Sequence, residues 1–259
     1  MVKWHSVEGN NSSTHNYSSN HNNSSTGNNS IEYARYIVPN FASNTVLLDS
    51  KDGRVLVISP GADLLESFAK RFPDYDAPET AGEGITIVMP NAYHYLGVSV
   101  WKQRYPNARL LASAKARKRL IKLPIEGIHG CDTISDGLAG PVPESFWAVP
   151  PGHRGGDVWL VVKNSGGFVW ITCDSFLHYP RVSNQPVARF VQKIMGAAPG
   201  LKLSRVIKYF LLNDRRAFKR WCLAFVKNQP PTVLLPSHGD VLVSEHLGEK
   251  LEALIRKRL

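Results

Sequence analysis

The sequence predicts an α/β domain whose functional groups gather at one sheet edge, and three observations carry that expectation. A strand, loop, helix, strand run from Ile85 to Ala112 reads as a βαβ unit. Two β-rich runs flank Asn164-Ser165-Gly166-Gly167, a turn-forming sequence, and read as a hairpin. Four apolar runs each end in, or run into, a histidine or an aspartate: His94, His153, Asp174 and His238.

Taken in order, residues 1–30 are expected to form a disordered tail, because the Asn/Ser-rich stretch has almost no apolar side chains to offset the entropy of ordering. Its sequons, including Asn11, Asn16 and Asn23, follow from that composition, and His5, His15 and His21 are too loosely held to chelate a metal. Order begins near Ile31. Thr45 to Leu48 and Val55 to Ile58 form a hairpin around the Asp52-Gly53 turn. Asp63 is placed to cap a helix that ends before Pro73. Ile85 to Met89 is continuously apolar, as in a strand covered on both faces, and a helix follows from Gly97 to Tyr105. His94 therefore falls in a loop at the carboxyl end of a strand, where open α/β sheets collect ligands.

A short helix carries Lys115, Arg117, Lys118 and Arg119, either a phosphate-facing patch or, the favoured reading, a solvated face. Prolines between Pro141 and Pro151 stiffen the approach to His153, which is expected to be exposed. Pro180 to Lys202 carries the weakest signal. Asn213-Asp214 caps an amphipathic helix with Phe218, Trp221, Cys222 and Phe225 at i, i+3, i+4 and i+7. Thr232 to Leu235 is the last strand, and a helix ends the sequence.

At 259 residues and 43% hydrophobic, the chain can bury a sizeable core as one domain, residues 31–259, behind the tail. Lys+Arg 31 against Asp+Glu 21 gives a formal charge of +10, enough to attract an anionic partner, nucleic acid included. Three widely spaced cysteines, Cys131, Cys173 and Cys222, suggest no disulfide framework and fit a reduced, cytoplasmic setting. No run approaches membrane-spanning length.

Imidazoles with one carboxylate suit zinc or iron, and a catalytic site needs about three protein ligands with a position left for water. His94, His153, Asp174 and His238 meet that count. A lone histidine at a strand end is more often a hydrogen-bonded structural residue, so the case rests on the four together.

The motif order resembles the metallo-β-lactamase fold superfamily, from about Tyr36 to the end of the sequence. Asn44 to Ala62 resembles that fold's opening hairpin, with Ser59-Pro60-Gly61 where the family has Asp-Thr-Gly. Aligned on Gly97, the family's HxHxDH motif falls on Pro90, Ala92, His94 and Tyr95, so the motif is degenerate and His94 stands at the aspartate position. His153 matches the histidine of the G-H-T-x-G element, Asp174 the bridging aspartate and His238 the final histidine. The resemblance implies a four-layer αββα sandwich holding one zinc, or iron or manganese, on His94, His153, Asp174 and His238. Such a protein hydrolyses an ester, thioester or phosphodiester of a small-molecule substrate, with His94 and Asp174 in catalytic roles. The other class of reading is an inactive scaffold that meets an anionic partner through its basic surface.

Overall fold

The computed structural model describes residues 3–7, 30–38, 41–50 and 53–259. Chain order runs β1 (His5–Ser6), β2 (Ser30–Val38), β3 (Phe41–Ser50), β4 (Arg54–Ile58), α1 (Leu65–Arg71), β5 (Ile85–Met89), α2 (Val98–Arg104), β6 (Arg109–Ser113), α3 (Ala114–Leu120) and β7 (Asp132–Ile134). The second half comprises β8 (Ser145–Ala148), β9 (Trp159–Asn164), β10 (Gly167–Ile171), β11 (Leu177–Tyr179), α4 (Pro186–Met195), β12 (Gly200–Lys202), α5 (Arg215–Asn228), β13 (Pro231–Leu235), β14 (Leu242–Val243) and α6 (Leu247–Arg258).

The strands form a seven-stranded sheet in simple sequence order, β1 to β7, and a five-stranded sheet ordered β14-β13-β10-β9-β8. Strands β4, β5, β6 and β7 run parallel, as the βαβ reading requires, while β3–β4 and β9–β10 are antiparallel hairpins.

Alternation along each strand decides the layers. In β4, Leu56 and Ile58 face Leu160, Val162, Val169 and Leu235 of the second sheet, so the two sheets share one apolar interior. Val55 and Val57 point the other way, with Ile85 and Ile87, onto Phe68 of α1, Trp101 of α2 and Ala116 and Leu120 of α3. On the far side Trp159, Val161, Trp170 and Leu234 cover Phe218, Cys222 and Val226 of α5 and Leu251 and Ile255 of α6. The result is the four-layer αββα sandwich. Each fully buried aliphatic or aromatic side chain contributes roughly 1.5–3 kcal/mol.

Several local expectations need correction. Asp63 lies inside a 3₁₀ turn, Ala62–Leu64, and α1 begins without a side-chain cap, because the chain already turns helically after Gly61. Asp214 does cap α5, its carboxylate accepting from the Ala217 amide at 2.9 Å. The stretch Pro180 to Lys202, featureless in sequence, holds α4 between the two strands of a small separate hairpin, β11 and β12. The start of the expected tail belongs to the fold: β1 pairs with β2, and the Trp4 indole donates to the Ser67 hydroxyl at 3.1 Å. The rest of that expected tail, residues 1–2 and 8–29, lies outside the described residues. No helix among the described residues is long and apolar enough to cross a membrane.

Candidate metal centre

Three loops at one end of the sandwich supply the site. The first follows β5, where the Asn91 side chain accepts from the amides of Tyr93 at 2.8 Å and His94 at 3.2 Å, a local turn that fixes the direction of His94. Gly97 then lets this loop meet the turn after β4, since a Cβ there would stand 2.0 Å from the Pro60 carbonyl oxygen. The second loop follows β10 and presents Asp174. The third follows β13 and presents His238, after which Gly239, at φ +97°, passes within contact of the His178 backbone where no Cβ fits.

His94, Asp174 and His238 meet with their donor atoms all within 4.8 Å of one another. His94 Nε2 lies 3.1 Å and His238 Nε2 3.2 Å from the same oxygen, Asp174 Oδ1. Each outer atom is anchored. His238 Nδ1 donates to the Ala42 carbonyl at 2.9 Å, His94 Nδ1 is 2.8 Å from the Ser59 hydroxyl, and Asp174 Oδ2 accepts from the Asn91 amide at 2.7 Å. Ser59 reaches its place through a left-handed backbone, φ +57°, and is met on its other side by the Tyr36 hydroxyl at 3.0 Å.

Electrostatics follow from this packing. Burial alone would push the Asp174 carboxyl up, but His94 and His238 together hold it well below the usual carboxylate range. For His238, burial favours the neutral ring, yet the Asp174 carboxylate and the Ala42 carbonyl outweigh it and raise its pKa above 6.5. Ordinary tautomer logic agrees. A carbonyl can only accept, so His238 Nδ1 carries a proton, and Nε2 can face a carboxylate only with a second proton or a cation between them.

His153, expected to be exposed and to join these residues, does neither. It is 1% exposed, and its Nε2 lies 3.5 Å from Asp157 Oδ1 without forming a hydrogen bond. Asp157 in turn accepts from Ser175 at 2.5 Å and from the Asn91 amide at 3.0 Å. Asn91 thus divides its two amide hydrogens between Asp157 and Asp174, linking the His153 pair to the three-residue cluster. Asp157, Cys173 and Asp174 also bring donor atoms within 4.8 Å of one another. Burial and the two carboxylates push the Cys173 thiol well above its ordinary value.

Sequence reasoning missed Asn91 and Asp157. A strand-end Pro-Asn pair does signal a side-chain turn, but its reach to two carboxylates 66 and 83 residues away has no local signature. On the basic helix α3, Arg117 is spent on the Cys131 and His129 carbonyls, and Arg119 lies over the Tyr93 ring at 4.7 Å.

A chemotaxis sensor ODP, in a peroxy diiron species, superposes with TM-score 0.57 and 16% identity over 90% of this chain and 92% of its own. A metallo-β-lactamase from Pseudomonas aeruginosa in a mono-zinc form gives TM-score 0.54 and 16% identity over 90% and 93%. The chain has the metallo-β-lactamase fold. A flavo di-iron protein mutant from Thermotoga maritima gives TM-score 0.57 and 12% identity over 88% of this chain and 58% of that one. No protein-family model and no curated protein matches the chain.

Within the metallo-β-lactamase fold, the donor set of His94, Asp174 and His238 fits a divalent ion. Two imidazoles and one carboxylate are three ligands, the number of an open catalytic site, and they suit zinc or iron. Each of the three residues has an outer hydrogen bond of the kind that fixes tautomer and orientation in metal sites. His238 is set to offer the Nε2 lone pair because Ala42 already holds the proton on Nδ1.

Proposed function

We propose that the protein is a metal-dependent hydrolase with a single-ion site on His94, Asp174 and His238. The observation that carries this reading is the pair of Nε2 atoms converging on one oxygen of Asp174 while their Nδ1 atoms are anchored to Ser59 and Ala42. A zinc, iron or manganese ion bound there would lower the pKa of its water toward about 7, supplying a nucleophile for an ester, thioester or phosphodiester.

The chain's own residues do the rest. Asp174 offers the carboxylate and keeps it ionised, with Asn91 fixing its second oxygen. His238 contributes a ring whose tautomer is set from behind. His94 either completes the ligand set or exchanges a proton at Nε2, and the Ser59 hydroxyl can donate to or accept from its Nδ1. The mono-zinc state of the Pseudomonas aeruginosa neighbour supports a one-ion site on this fold.

Hydrolysis of a panel of acyl esters, thioesters and bis-p-nitrophenyl phosphate tests the reading. The expected result is turnover lost on dialysis against chelator, restored by zinc, iron(II) or manganese(II), and abolished in His238→Ala. With His94→Ala, loss of metal identifies a ligand, and retained metal with lost turnover identifies an acid or base. Turnover unaffected by chelator and by His238→Ala overturns the proposal.

A further inference from the structure

Beside the three-residue cluster lies a cavity of about 820 Å³ whose wall includes Asp174 and His238. Away from them its lining is apolar, with Leu177, Val191, Met195, Ala197, Ile207 and Leu211. Two of its polar lining residues are already committed to backbone: Gln192 accepts from the Ser183 amide at 2.8 Å, and Ser204 from the Ile207 amide at 3.2 Å. Tyr179, Ser183 and Gln185 also line it, so the cavity has its charged side at the candidate metal ligands and mostly apolar walls elsewhere, within the size range of small-molecule sites.

Helix α4 forms one wall. Its apolar positions 187, 190, 191, 194 and 195 span an arc wider than the cavity covers: Val191 and Met195 face in, while Phe190 and Ile194 are 63% and 53% exposed, flanked by Arg189 and Lys193. None of its residues is fully buried.

We infer that this cavity takes the aliphatic acyl chain of an ester or thioester, with the carbonyl end at Asp174 and His238. The inference names the substrate class of the proposed hydrolase and, for the carbonyl end, rests on that reading. Hydrolysis of such a substrate breaks the acyl C–O or C–S bond, places the water oxygen on the acyl carbon and leaves a proton on the departing alcohol or thiol. An alkyl chain matches mostly apolar walls, and a neutral carbonyl avoids the Asp174 charge.

Titration calorimetry with neutral 1-alkanols from six to ten carbons tests the chain site without requiring turnover. Kd is expected to fall about fourfold per added CH₂. Val191→Trp, which places an indole on the inner wall and narrows the cavity, should reduce that dependence. Val191→Ala should weaken each Kd while thermal melting confirms a folded protein, and Phe190→Ser, on the outer face, should leave the series unchanged. A Kd independent of chain length, or a series unchanged in both Val191→Trp and Val191→Ala, overturns the inference. The series should persist in His238→Ala and in chelated protein. Absence of metal with the dependence intact removes the metal reading alone, and metal binding with no dependence removes this one alone. Phosphatidylcholine/phosphatidylglycerol vesicles distinguish the source of the chain. Co-sedimentation lost on Phe190→Ser/Ile194→Ser identifies a bilayer, and alkanol binding without co-sedimentation identifies a monomeric ester.

Discussion

Replacing Asn91 by alanine should disturb the site more than replacing any single ligand's neighbour on the surface. Asn91 is 0% exposed and makes four hydrogen bonds: two donated to Asp157 and Asp174, two accepted from the Tyr93 and His94 amides. A hydrogen bond to a charged group contributes about 1.5–3 kcal/mol, and a buried carboxylate left short of a donor carries a desolvation penalty in addition. Ser175 still serves Asp157, and the two histidines still serve Asp174, so neither carboxylate is stripped completely. About 3–5 kcal/mol of lost stability is the expected total. Metal affinity should fall roughly 10- to 100-fold, as for a residue that orients a ligand. Asn91→Asp separates the two roles, because it keeps the acceptor for the Tyr93 and His94 amides but sets a third carboxylate against Asp157 and Asp174. It should be the more destabilised of the two at neutral pH and should recover as pH falls. Urea denaturation at pH 7, read by tryptophan fluorescence, measures both. A loss below about 1 kcal/mol in Asn91→Ala would refute the claim that this side chain holds the two carboxylates together.

Further expectations concern the rest of the fold. Gly97→Ala should cost several kcal/mol by thermal or urea unfolding, since its Cβ would stand 2.0 Å from the Pro60 carbonyl, and an unchanged midpoint would contradict that close approach. Removing residues 1–7 should cost about 1–3 kcal/mol, because Trp4 and the β1 pairing leave with them, whereas no shift in melting would place them outside the cooperative unit. In chelated protein the Asp174–His238 pair has two pH limits. The raised His238 pKa contributes stability below about 6.5 that is lost as pH rises through the folded value. The depressed Asp174 pKa contributes stability above about 3.8 that is lost as pH falls through its own. Zinc should remove the alkaline limit, because the ion replaces the His238 proton, and a melting profile with the same alkaline fall in both forms would count against it.

The readable parts of this fold are those governed by local period. The β9–β10 hairpin, the β5–α2–β6 unit and the aromatic stripe of α5 follow from alternation, turn residues and helical spacing, each satisfied within about 30 residues. Helix α4 carries the same signal, apolar at i, i+3, i+4, i+7 and i+8 between Pro186 and a left-handed Gly196, but over only ten residues and between loops marked by Pro180 and Pro199. The site was legible by position and not by partnership. His94, Asp174 and His238 stand where strand ends and motif order placed them, and His153 occupies its expected loop. Its imidazole nevertheless turns inward to Asp157, four residues on, and a carboxylate that close in sequence competes with a site assembled across the sheet. Asn91, which ties the two groups together, is visible only once the strands are assembled.

The proposed site holds one ion on His94, Asp174 and His238 without His153. Elemental analysis of protein loaded with zinc and passed through a desalting column tests it directly. One equivalent is expected in the wild type and in His153→Ala, provided the variant is folded by its melting curve, with most of the ion lost in Asp174→Ala and His238→Ala. Zinc lost in folded His153→Ala to the same extent as in His238→Ala, or a folded wild-type protein that retains none, would contradict the account.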